Sequence, residues 1–334
     1  MTYNNLGLKG TFTALVTPRS KNGSPNADFY QKLVERQLEA GIDGLVLFGT
    51  TGEAEFVNRE FQYARIHKTV ENANGITDRS IPIIAGISDN DEEKVIDYAR
   101  RARDAGADAG LLTPLCYVKP TQEAIASRYV DIANAVPDFK FVVYNVPGRT
   151  GVNIEPTTLR YIIQAPNIIA IKEAAGPSQF VQLGQYIEIA AEFSKEQKRP
   201  FTVLSGDDAS AALACLIGAH GVISVDSNIA PQRRKEVIDA ARGKHPVDSK
   251  LSIDRDRDIA YALELHNALL PLANATMANG NPQSVIYIMQ QWRKEMGINF
   301  EIGNPHTQLG AAPEKSRTIE FLMSEMTRQR AKLR

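Results

Sequence analysis

Eight short apolar runs, each closed off by turn residues, constrain this chain more than any other feature. They are FTALVT (12–17), GLVLFG (44–49), IPIIAG (81–86), AGLLT (109–113), KFVVYN (140–145), IIAIK (168–172), FTVLS (201–205) and GVISV (221–225). Their starts lie 20 to 37 residues apart, the spacing of strand–loop–helix units. The runs are continuous rather than alternating, which predicts strands covered on both faces and therefore paired in parallel. Eight such units in about 230 residues predict an α/β fold, a closed (β/α)8 TIM barrel. A doubly wound open sheet is the competing architecture. Six strands would favour it, and no GxGxxG follows the first strand to support dinucleotide binding.

Helical periodicity fills the intervals. In ADFYQKLVERQLEAG (27–41), Phe29, Leu33, Val34 and Leu38 share a face. DEEKVIDYARRARDAG (91–106) starts acidic and ends basic, as the helix dipole favours. AGIDG, AGADAG and GAHG each predict a helix ending at glycine just before a strand. After Val225 the strand signal stops, and residues 233–243, 255–278, 282–296 and 313–331 read as helices. The chain therefore divides into a catalytic barrel, 1–230, and a C-terminal helical region, 231–334, with 243–256 as linker or long surface loop.

The chain has 334 residues and a formal net charge of −1, so nothing basic points to nucleic acid or an anionic membrane. MTYNNLGLKG lacks the apolar stretch of a signal peptide, and no run is long enough to span a membrane. Two cysteines, Cys116 and Cys215, fit a reducing compartment, and the cytoplasm is the expected location. Cys215 reads as a small core residue. The five histidines show no metal-ligand spacing, and His220 precedes the last strand at the barrel end away from the chemistry. No glycine-rich phosphate loop follows strands seven or eight. The expected chemistry uses neither metal nor cofactor.

In such a barrel the active site is built where the strands end. Those ends carry Thr17, Thr50-Thr51-Gly52-Glu53, Thr113, Tyr144-Asn145, Lys172-Glu173, Ser205-Gly206-Asp207-Asp208 and Ser224. Lys172 closes a fully apolar run, where an ammonium is costly. A pocket walled by apolar strands favours the neutral amine, a nucleophile toward ketones and aldehydes. The competing reading has Lys172 snorkelling and paired with Glu173. GTTGE offers amides and two hydroxyls that suit a carboxylate, or else a capped turn. Tyr144 can pass protons to a carbinolamine, or be a core aromatic. Arg149 can fork onto a second acidic substrate, or be a solvated loop arginine. SGDDAS reads as a helix cap rather than an acid–base pair, with its glycine admitting a ligand to the backbone.

In this order and at these strand ends, GTTGE, YNVPGRTG, IKEA, LSGDDAS and GVISV resemble the dihydrodipicolinate synthase/N-acetylneuraminate lyase family, from residue 10 to about 300. The resemblance implies a (β/α)8 barrel with a C-terminal helical region, a homotetramer or homodimer, and class I aldolase chemistry on pyruvate. It implies that Lys172 forms the imine, that Thr50 and Thr51 hold the pyruvate carboxylate, and that Tyr144 transfers protons. Thr50 would also join a hydroxyl relay ending in a tyrosine of a neighbouring subunit, with Tyr117 the candidate. Gly206 and Ile223 would line the pocket. Arg149 matches the arginine by which the synthase branch grips aspartate semialdehyde, and so favours that branch.

Two departures stand out. TPLCYVKP has Leu115 and Cys116 ahead of a single Tyr117, where synthases carry two adjacent tyrosines. That loop also resembles the lyase and keto-acid aldolase branches, so a different 2-keto acid substrate is the alternative, with a non-catalytic keto-acid-binding barrel as a third reading. Ala54, Arg59 and Gln62 replace the serine and histidines of the lysine-feedback site. Weak or absent inhibition by lysine is expected. Activity across a lysine titration checks this, and strong inhibition would contradict it.

Overall fold

The computed structural model describes residues 6–76, 81–176, 180–243, 255–293 and 303. Each of the eight apolar runs overlaps a strand: β1 (Gly10–Ala14), β2 (Gly44–Leu47), β3 (Ile83–Gly86), β4 (Ala109–Leu112), β5 (Lys140–Asn145), β6 (Ile168–Glu173), β7 (Thr202–Ser205) and β8 (Gly221–Ser224). They pair in parallel, in sequence order, and β1 closes on β8. β1 starts two residues before its apolar run and ends at Ala14, ahead of Thr17-Pro18.

The helices are α1 (Ala27–Glu39), α2 (Arg59–Ile76), α3 (Glu92–Asp104), α4 (Gln122–Ala135), α5 (Pro147–Thr150), α6 (Pro156–Ile162), α7 (Phe180–Gln197), α8 (Ala211–Leu216), α9 (Pro231–Ala241), α10 (Arg255–Met277) and α11 (Gln283–Trp292). The expected helix over 313–331, and most of the proposed linker, lie outside the described residues. Asp91 caps α3 through the Glu93 and Lys94 amides. Gly41, Gly106 and Gly218 all take positive φ at the helix-to-strand turns expected from the sequence.

Two apolar layers follow from continuous burial. Phe12, Val46, Ile84, Leu111, Val142, Ala170, Leu204 and Ile223 fill the barrel interior. Leu45, Leu47, Val143, Ile171, Val203 and Val222 face outward and meet the helices. Each Leu- or Ile-sized side chain so buried contributes about 1.5–3 kcal/mol.

The buried face of α1 is Tyr30, Leu33, Val34, Gln37 and Leu38, while Phe29 is only half-buried. Leu33, Val34 and Leu38 keep their expected face, with Tyr30 buried in place of Phe29 and Gln37 joining it. Thr13 Oγ1 donates to Gln37 Oε1 at 2.8 Å, and Gln37 Nε2 donates to the Ser227 carbonyl at 3.0 Å. A satisfied amide can occupy a core position that hydrophobicity alone leaves to solvent.

Candidate active site

Tyr144 and Lys172 are directly paired residues of β5 and β6, so alternation along the strands sends both side chains to the same face. Lys172 is buried, with 6% of its surface exposed. Its Nζ sits 4.2 Å from the centroid of the Tyr144 ring. Among the described residues it makes no hydrogen bond or ion pair. Pairing with Glu173, the structural alternative raised by the sequence, does not occur. Glu173 points to the opposite face, where it accepts from Asn145, Gln182 and the Ala175 amide.

Gly206 lies against the Lys172 stem. A Cβ there would stand 2.8 Å from Lys172 Cε and 2.6 Å from Ala174 Cβ, so only glycine leaves the amine its present position. Ile223 is fully buried in the barrel interior.

A cavity of about 230 Å³ opens at this end of the barrel. Tyr144, Thr50 and Arg149 all line it, whereas Thr51, Lys172, Gly206 and Ile223 are not among its lining residues, and Lys172 meets it through the Tyr144 ring. The Thr50 and Thr51 amides donate to no described residue, which leaves two N–H groups that an anion can satisfy. Glu53, from the same turn, would repel that anion, but it is buried and ion-paired to Arg19 at 3.3 Å. Pro147 opens the short helix α5 and Gly151 ends it. Arg149 projects from it to the cavity mouth without a carboxylate partner among the described residues.

Tyr117 stands apart from this group. It is 91% exposed, holds a positive φ of 75°, and lines no part of the cavity. Cys116, its neighbour, does line it, tied on both backbone sides to the Asn90 amide.

One lining residue carried no signal in the sequence. Asn281, in the turn between α10 and α11, reaches the cavity from the C-terminal helices. Its Nδ2 donates to Thr51 Oγ1 at 2.8 Å, and its carbonyl accepts from Arg149 at 2.8 Å. The buried Asn281 Oδ1 has no partner among the described residues. Thr51 is 230 residues away in sequence, beyond any local pattern.

The SGDDAS loop behaves differently from its expected capping role. Ser210, the residue before α8, makes no side-chain cap. Asp208 instead accepts from the Val225 and Asp226 amides, both at 2.8 Å, fastening the β7 loop to the end of β8. Beside it Asp226 is paired with the fully buried Arg234. Burial pushes the Asp226 carboxyl up to about 6, Arg234 pulling against it and Asp208 adding to it. His220 bonds backbone at the opposite end of the barrel, and Cys215 is buried on α8, its thiol pushed up to about 12 by desolvation. No trio of His, Cys, Asp or Glu among the described residues is placed to hold a metal. No described helix is long and apolar enough to cross a membrane.

At the carboxyl ends of a closed parallel barrel, where (β/α)8-barrel enzymes build their active sites, this chain gathers a buried amine, a phenol and an arginine. The chain belongs to the dihydrodipicolinate synthetase family, whose model matches residues 7–302. A 4-hydroxy-tetrahydrodipicolinate synthase of Methylococcus capsulatus is 39% identical, over 91% of this chain and 94% of that relative. The dihydrodipicolinate synthase structure from Thermotoga maritima superposes with a TM-score of 0.81 at 31% identity, covering 97% and 99% of the two chains. A chloride-inhibited dihydrodipicolinate synthase from Acinetobacter baumannii, complexed with pyruvate, gives 0.79 at 33% identity, covering 96% and 99%.

Proposed function

We propose that this chain is a 4-hydroxy-tetrahydrodipicolinate synthase, condensing pyruvate with aspartate 4-semialdehyde through an imine on Lys172. The observation that carries the reading is the Lys172 amine, buried and unpaired among the described residues, held 4.2 Å from the Tyr144 ring. A buried amine without a counter-ion is costly to keep and is what imine formation requires.

In this reading the amine attacks the pyruvate ketone to give a carbinolamine. Tyr144 passes a proton to the departing hydroxyl, water leaves, and the imine forms. The Thr50 and Thr51 amides and hydroxyls hold the pyruvate carboxylate. Loss of a methyl proton gives the enamine, whose carbon attacks the aldehyde while the aldehyde oxygen takes a proton. The substrate's own amino group then displaces Lys172 by transimination, closing the ring and freeing the amine. Arg149 grips the second substrate's carboxylate, and Gly206 and Ile223 shape the pocket.

Tyr117 belongs to a second copy's site in this scheme. Its near-complete exposure beside Val118, 60% exposed, supports a homodimer or homotetramer in which it supplies the relay hydroxyl to Thr50 of a neighbour. Two unpaired cysteines support a cytoplasmic enzyme.

The substrate assignment is tested by following condensation of pyruvate with a panel of aldehydes, aspartate semialdehyde among them. Arg149→Ala separates the two half-reactions. Losing a charge-assisted fork is expected to lower kcat/KM for the semialdehyde about 10²-fold, while borohydride with pyruvate still yields the adduct. Equal loss of both would place Arg149 in imine formation instead.

A further inference from the structure

Immediately after Tyr144 and Lys172, strand alternation turns Asn145 and Glu173 outward, and these two residues are also directly paired. Asn145 Nδ2 donates to Glu173 Oε2 at 2.8 Å. Two more donors converge on the same carboxylate, Gln182 Nε2 of α7 at 3.2 Å and the Ala175 amide at 2.6 Å. Asn145 also ties the far end of its own loop back to the strand: its Nδ2 donates to Asn153 Oδ1 at 2.8 Å, and its Oδ1 accepts from the Ile154 amide at 3.0 Å. That loop carries Val146 and Arg149, which line the cavity. Asn145, Glu173 and Gln182 are all buried.

A buried carboxylate served by neutral donors is an expensive way to join two strands, because each member must be satisfied to repay its desolvation. Burial raises the Glu173 carboxyl above the usual range, and the three donors oppose that shift. The ladder below explains what the expense achieves. The register of β5 against β6 shifts between Phe141 and Val142, so backbone pairing at the base does not by itself set the pairing at the top. A slip of one residue would turn Tyr144 or Lys172 out of the barrel.

We propose that Asn145 and Glu173 are positioning residues that lock the register of β5 on β6 above the irregularity, and thereby hold Tyr144, Lys172 and the Arg149 loop in reacting geometry. Neither touches substrate. The inference rests on the imine chemistry proposed above, and its test keeps the two apart.

Glu173→Gln keeps the volume but puts an NH2 group among donors, so one bond of the cluster is lost. Asn145→Asp sets two carboxylates against each other. The double variant Asn145→Asp/Glu173→Gln exchanges donor and acceptor and restores the strand-to-strand bond. Expected for Glu173→Gln is a fall of about tenfold in kcat and in the rate of borohydride-trapped pyruvate imine, with KM for pyruvate moving less than about threefold. The double variant recovers toward wild type from Asn145→Asp, because the Gln amide then donates to the carboxylate that Glu173 would oppose. Gln182→Leu removes a donor from the far side of the carboxylate and carries the same split at smaller size, so the test survives if Glu173→Gln does not fold. Unchanged kcat per folded molecule, or a double variant no better than the worse single one, overturns the inference. A wild-type protein that forms no pyruvate adduct overturns the imine reading itself.

Discussion

Lys172→Met is expected to abolish turnover, lowering kcat on the order of 10³-fold or more, because no other described group at the site supplies an amine. The fold is expected to survive. Lys172 makes no hydrogen bond or ion pair with a described residue, so the substitution breaks no network and replaces a buried amine by an apolar chain of similar reach. The melting temperature should hold or rise. Mass measurement after borohydride treatment with pyruvate should find the wild-type adduct on Lys172 and none in the variant. Turnover within tenfold of wild type, or an adduct mapped to another lysine, would remove the basis of the proposed mechanism.

Tyr144→Phe is the second large effect. The ring that lies against the amine is retained and only the phenol is lost, so packing against the barrel interior is preserved. The hydroxyl makes no hydrogen bond to a described residue, and stability should change little. Loss of a positioned proton-transfer group is expected to cost about 10²–10⁴ in kcat. The sharper measurement is single-turnover imine formation, which should slow as much as kcat does. A variant that forms the imine at the wild-type rate would move Tyr144 out of the dehydration step.

The barrel was legible because burial on both strand faces writes itself into continuous apolar runs, and those runs recur at the length of one strand plus one helix. The same pattern located Lys172 and Tyr144, since an apolar run ends where its polar residue begins. Alternation supplied their common face. In α1 hydrophobicity points to Phe29 and passes over Gln37, whereas the core takes Tyr30 and holds Gln37 because Thr13 and the Ser227 carbonyl satisfy it. SGDDAS shows another. Asp208 looks like a helix cap in a local window, yet its partners are the amides of Val225 and Asp226 just past the end of the next strand.

What the order of residues settles alone is therefore the eightfold repeat and the strand ends where chemistry gathers, because periodicity and burial are local properties of the chain, whereas closure of β1 on β8 is a contact between its distant parts. Asn281 meeting Thr51 across 230 residues, Cys116 facing the cavity, and the Asn145–Glu173 clasp behind the amine needed the folded molecule. Each depends on where separate segments come to lie in space, and a polar side chain's partner at long range leaves no periodic trace along the chain.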